Sequence, residues 1–238
     1  LKARARTAEV IREYETLKAE GVQLPTYAVR WVAAAYLDQR QPEKAEPLYR
    51  QALSAPDAEP DDRVEDTTAL FYALQESNKG EDANEVAKGL ANSQNPRVEL
   101  KGLPIGNPND AWMDAQQLSA QAGVYGGDLP GSEAGLEALV AKAPGNVGLR
   151  LAQADMYRAR DLPRRAEGVL KETEAQAPRD IGLEVSQAYT AMDLQEWRQL
   201  DVLTDDVVAR NPDNRQVQRL SRLRDVHDMA ELRVEAYT

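Results

Sequence analysis

The chain has 238 residues, 42% of them hydrophobic and 29% charged, a balance that folds rather than stays disordered. Its formal net charge of −11 argues against nucleic acid, whose phosphates require clusters of Lys and Arg, and leaves room for a cationic partner. There is no cysteine, hence no disulfide framework or thiolate chemistry, and no apolar stretch reaches the ~18 residues of a membrane-spanning helix.

In chain order, residues 1–20 read as one helix, with Ala3, Ala8, Ile11, Tyr14 and Leu17 near helical spacing. Residues 1–25 are expected to be the end of a preceding repeat. The start at Leu1, without Met or signal peptide, is expected of a piece of a longer protein. A first repeat block spans 26–96. Its first helix pair runs Ala33, Tyr36, Ala45, Tyr49, Ala52 and Pro56, with a turn at Arg40-Gln41-Pro42. The second runs Phe71, Leu74, Ala83, Ala87, Leu90 and Pro96, with Phe71 where a small residue is expected. The acidic run Asp57, Glu59, Asp61, Asp62, Glu65 and Asp66 is placed in the connector between them, as helix-start charges or as a groove rim.

Residues 92–110 hold three prolines, two glycines and four asparagines and no helical period. Their core, 97–109, is expected to be an interrupting loop, either functional or a hinge. Helical patterns resume over a second block, 110–212. It contains Ala122, Tyr125, Ala134 and Pro144; Ala154, Tyr157, Ala166 and Pro178; and Ala188, Ala191, Leu200 and Pro212. Residues 213–238 read as a closing helix carrying Val217, Leu220, Leu223 and Val226, with Arg215, Arg219, Arg222 and Arg224 on its exposed side. From Glu231 to Thr238 the residues alternate with a strand-like period.

Pro144, Pro178 and Pro212 recur every 34 residues, the period of helix–turn–helix arrays. A small residue in each helix lets two backbones approach, the residue three on fills the space above it, and the proline ends the second helix. This spacing resembles the tetratricopeptide repeat. The expected fold is all-α, a tetratricopeptide-repeat superhelix of antiparallel helix pairs.

Little chemistry is legible. The single histidine, His227, has no converging ligands, and neither a nucleophile elbow nor a Gly-rich phosphate loop is present. No catalytic residue, metal or cofactor is expected. In such arrays the first helix of each pair lines a groove, through the residue after the small one and the residue five beyond it. The first kind of slot holds Ala34, Tyr72, Gly123, Asp155 and Tyr189; the second holds Asp38, Glu76, Gly127, Ala159 and Asp193. Of these, Asp38, Tyr72, Glu76, Asp155, Tyr189 and Asp193 suit a cationic, hydroxyl-rich ligand, with rings for apolar sugar faces and carboxylates for ammonium groups.

A more specific likeness lies in LPTYAVRWVAAAYL (24–37), ALFYALQESN (69–78), NPNDAW (107–112), APGNVGLRL (143–151), PRRAEGVLKETE (163–174), TAMDLQEWRQ (190–199), LTDDVVARNP (203–212) and DVHDMAELRV (225–234). Together these resemble the periplasmic repeat region of the poly-β-1,6-N-acetyl-D-glucosamine export porins (PgaA family). The resemblance implies a place on the periplasmic side of the bacterial outer membrane and a non-enzymatic role in biofilm polysaccharide secretion. It implies three partners: partly deacetylated poly-β-1,6-N-acetylglucosamine, a periplasmic polysaccharide deacetylase, and the family's own outer-membrane β-barrel, absent from this chain. A purely protein–protein scaffold is the alternative.

Overall fold

The structure is a computed structural model that describes residues 6–56, 60–99 and 106–229. Among these the chain forms α1 (Thr7–Ala19), α2 (Thr26–Asp38), α3 (Pro42–Ser54), α4 (Pro60–Glu76), α5 (Gly80–Ser93), β1 (Arg97–Val98), β2 (Asn107–Pro108), α6 (Asp110–Tyr125), α7 (Leu129–Lys142), α8 (Val147–Ala159), α9 (Pro163–Glu174), α10 (Ile181–Asp193), α11 (Trp197–Arg210) and α12 (Arg215–His227). The expected all-α repeat fold is the observed one. The helices group into two compact units, Leu1–Gly135 and Leu136–Thr238.

Most of the small slots are packing positions; Ala134 is exposed, as is Tyr125 three residues after Ala122, because Ser132 and Leu136 carry the buried face of α7 instead. Ala33, Ala45, Ala83, Ala122, Ala154, Ala166 and Ala188 are buried, as are Tyr36 and Tyr157 three residues after their alanines. A methyl group there lets two helices approach closely. Phe71 occupies its slot fully buried, with its ring edge-on to Tyr72 at 5.2 Å, and α4 and α5 still pack against each other around it.

Each helix pair turns the same way. Arg40, Asn78, Gly127, Asp161 and Gln195 adopt positive φ, between 57° and 83°. The next residue then donates its N–H to a carbonyl five residues back: Gln41 to Tyr36 (3.0 Å), Lys79 to Leu74 (2.9 Å), and Asp128 to Gly123, Leu162 to Tyr157 and Glu196 to Ala191 (each 2.8 Å). This left-handed C-cap satisfies carbonyls that the helix end leaves open. At the following helix starts, Asn146 and Asp180 accept from the N–H of Leu149 and Leu183, at 3.1 and 2.8 Å, and Asn214 accepts from Gln216 at 2.9 Å. These caps stand two residues after Pro144, Pro178 and Pro212, so the period carries a stop and a start together.

Two expectations are refined. The acidic run takes its helix-start reading rather than lying in a connector: α4 begins at Pro60, so Asp62, Glu65 and Asp66 lie on its first turns, while Asp57 and Glu59 fall outside the described residues. The segment 97–109 is not irregular throughout. β1 pairs antiparallel with β2, Arg97 opposite Pro108, and the Asn109 N–H closes the neck onto the Pro96 carbonyl at 3.2 Å. A Cβ on Gly106, just before β2, would fall 2.4 Å from the Val98 carbonyl oxygen, so glycine is required there. The whole segment lies within the first unit. The closing helix is described to its end at His227; the alternation over 231–238 lies outside the described residues.

Candidate functional site

The six groove residues fall three to each unit. In the first unit a cleft of about 960 Å³ opens between the end of α2, α4, the β1–β2 ladder and α6. Leu37, Val64, Tyr72 and Val98 form its apolar wall, Glu65, Asp110 and Asp114 supply carboxylates, and Asn109, Gln117 and Gln121 supply amides. The described residues lining it include no Lys, Arg or His.

Helical geometry explains the grouping. Asp110, Asp114, Gln117 and Gln121 are spaced by four, three and four residues, which puts them on one face of α6. Glu65 and Tyr72, seven apart on α4, share a face in the same way. Burial, aided by the neighbouring Asp110, pushes the Asp114 carboxyl above the usual carboxylate range. Tyr72 keeps its ring partly exposed against Phe71.

Several carboxylates of this unit are engaged, and Glu65 belongs both to the cleft wall and to an ion pair. Glu76, at the end of α4, accepts from the Arg40 guanidinium at 2.5 Å. Arg30 on α2 gathers three carboxylates from α4: Asp62 at 2.5 Å, Asp66 at 2.7 Å and Glu65 at 3.3 Å. Asp38 is exposed in the last turn of α2.

Counting slots from the small alanine missed the α6 stripe. The count selected Gly123 and Gly127, which serve other ends. A Cβ on Gly123 would lie 2.4 Å from Ser132 Oγ, so Gly123 lets α6 and α7 approach; Gly127, at φ 83°, makes the turn. The recurrence of Asp110, Asp114, Gln117 and Gln121 at helical spacing was the signal available.

In the second unit the structure brings Asp155, Tyr189 and Asp193 together around a residue that the slots did not select. Arg158 on α8 donates from Nε to Asp193 Oδ2 on α10 at 2.6 Å and from Nη1 to Asp155 Oδ1 at 3.3 Å. Its guanidinium lies over the Tyr189 ring, 5.2 Å from the centroid. Desolvation raises the Asp155 carboxyl, with Arg158 and Ser186 pulling the other way. It also raises the Tyr189 hydroxyl, against the pull of Arg219 on α12 and of Arg158. This face is therefore close to charge balance, unlike the cleft of the first unit. His227 stacks on Trp197, centroids 3.8 Å apart, and so packs α12 against α11.

Helix pairs of this form, closed by the same left-handed turn, define a tetratricopeptide-repeat fold. The fold is shared with a tetratricopeptide repeat protein from Parabacteroides merdae ATCC 43184 (TM-score 0.70, 14% identity, 94% of this chain and 80% of that one). It is also shared with a thermophilic TPR protein of Thermus thermophilus (TM-score 0.62, 14% identity, 83% and 98%). In sequence, the chain is 41% identical over 243 residues to the poly-beta-1,6-N-acetyl-D-glucosamine export protein of Escherichia coli K12. That match takes in 100% of this chain and 30% of the relative, so the chain is homologous throughout to one part of that export protein and spans less than a third of its length. No protein-family model matches the chain. Among the described residues no helix is long and apolar enough to cross a membrane.

Proposed function

We propose that this chain is a polysaccharide-guiding module of an export system in the bacterial cell envelope, on the periplasmic side of the outer membrane. Its ligand in this reading is partly de-N-acetylated poly-β-1,6-N-acetylglucosamine, and its role is non-enzymatic. The observation that carries the reading is the first unit's cleft, where Asp110 and Asp114 line the same wall as Tyr72, with Glu65 shared between the cleft and Arg30, and no cation is found among the described lining residues. The carboxylates meet ammonium groups, the amides of Gln117 and Gln121 meet hydroxyls, and the Tyr72 ring meets the apolar face of a sugar. Each exposed ion pair contributes only ~0.2–1 kcal/mol, so affinity builds from repeated contacts along a polymer. Homology over the whole of this chain to under a third of an export protein supports the same assignment. Docking of the polysaccharide deacetylase belongs to the proposal on the strength of the family resemblance.

Titration of the chain with defined β-1,6-linked oligomers, followed by NMR, tests this. Partly deacetylated oligomers are expected to bind weakly, to shift the amides of α4 and α6, and to bind less well as salt screens the carboxylates. Equal binding of fully acetylated oligomers, unchanged by salt, would refute the electrostatic reading. Capture of the deacetylase without any oligomer binding would leave a protein scaffold.

A further inference from the structure

The first unit's cleft is open, whereas the corresponding face of the second unit is filled by its own side chain. We propose that Asp155, Tyr189 and Asp193 form a second ammonium-binding site, and that Arg158 occupies it as a built-in competitor. The choice of a glucosamine ammonium as the incoming ligand rests on the function proposed above; the competition does not.

Arg158 already makes the contacts that a primary ammonium would seek. It has a carboxylate of the adjacent first helix at 2.6 Å, a second carboxylate on its own helix at 3.3 Å, and an aromatic face at 5.2 Å, within the ~6 Å reach of a cation–π contact. A seated guanidinium shows that the pocket accepts a cation in this geometry. Asp155 and Asp193 keep 60% and 36% of their side chains exposed, so a ligand reaches them from solvent. The two carboxylates and Arg158 together carry one net negative charge, so displacement of Arg158 leaves room for cations without reversing the local field. Arg219 on α12 is the other cation acting on Tyr189, and it adds to the repulsion that a ligand ammonium meets.

Arg158 itself keeps only 21% of its side chain exposed, but its bonds end on solvent-open carboxylates, and ion pairs of that kind are individually weak, which makes exchange accessible. A single ammonium group competes poorly with a tethered guanidinium, whose effective concentration is high; a polymer that presents several does better. The second unit would then engage only chain segments rich in free amines, whereas the first engages any segment that carries one.

The test compares wild type with Arg158→Gln, with Arg158→Met as a second charge-free variant should Gln fail to fold. The probes are a partly deacetylated β-1,6-glucosamine pentamer and, separately, 1,5-diaminopentane, with NMR shifts read on α8 and α10. Both variants are expected to bind both probes about fivefold more tightly at this face, from the released cation–π and ion-pair positions. The gain should vanish when Asp193→Asn is added, and Arg158→Lys, which keeps the charge, should show none. No gain with either charge-free variant overturns the proposal, even where the pentamer binds normally at α4 and α6. A gain for the diamine that depends on Asp193 supports it, even where the pentamer binds nowhere and the proposed function falls.

Discussion

Arg30 on α2 and Asp66 on α4 are joined Nε to Oδ1 at 2.7 Å, with 13% and 6% of their side chains exposed. The register of α4 against α2 is thereby tied by a shielded charge pair, and Asp62 and Glu65 complete the clasp. Burial raises the Asp66 carboxyl, and Arg30 acts to bring it back down.

Removal of the cation leaves that carboxylate stranded. Arg30→Met is expected to destabilise the first unit by about 3 kcal/mol at pH 7, the lower end for a broken buried pair. Without Arg30, the Asp66 carboxyl rises further, so its charged form is penalised at neutral pH and the penalty is relieved as pH falls and a proton binds. Denaturant unfolding at pH 7 and pH 4 checks this: the deficit should be smaller at pH 4, and an equal deficit at both would count against it.

The cap-and-turn pattern gives two substitutions of opposite sign. Asp180→Ala removes the acceptor for the Leu183 N–H and should cost about 1 kcal/mol. Gln195→Gly relieves a side chain held at φ 59° and should add about 0.5–1 kcal/mol. Thermal unfolding of each variant, with helix content checked by circular dichroism, reads both.

Glu46 on α3 accepts from Lys79 at 2.6 Å and from Arg50 at 3.0 Å, and its carboxyl is held below the usual range by Lys79 first and Arg50 second, against the cost of burial. A depressed carboxylate contributes stability above its unfolded pKa and loses it as pH falls through the folded value. Glu46→Gln should therefore be less stable than wild type by about 0.5–1 kcal/mol at pH 7, with the gap closing below about pH 4. Melting curves across pH 3–7 measure it.

In the cleft, stability and binding should separate. Because burial raises the Asp114 carboxyl, its charge is a burden on the fold at neutral pH, and Asp114→Asn should leave the melting temperature unchanged or higher. The same change should weaken oligomer binding about threefold, and Asp110→Asn with it about tenfold, as ion-pair losses of this size imply. Binding should also decline with falling pH sooner than an ordinary Asp would require. Calorimetric titration at pH 7 and pH 5 tests this; a loss of binding that tracks a loss of folding would refute it.

Where side chains meet their own helix or the next one in a repeat, the sequence was a good guide. The turn positions, the 34-residue step and most of the alanine slots depend on local spacing and proved to be packing or capping positions; Ala134 did not, because Ser132 and Leu136 take the buried face of α7. The caps at Asn146, Asp180 and Asn214, two residues after each proline, came only with the structure. The α6 stripe was harder, since Gly123 and Gly127 stood in the expected slots and drew attention from Asp110 and Asp114. Arg158 was invisible because its importance lies on α10, 35 residues away.

By itself, then, the sequence determined the period, the helical class and the acidic character of the chain, because these follow from short-range geometry and composition. Which charges stand open and which are answered was decided only by the tertiary structure. Arg30 neutralises part of an acidic run, Arg158 closes a carboxylate pair, and the β1–β2 ladder walls a cleft whose described lining carries no cation. The physical reason is that a charge is screened or left exposed by whatever helix folds against it, and that neighbour is set by packing across the array rather than by spacing along the chain.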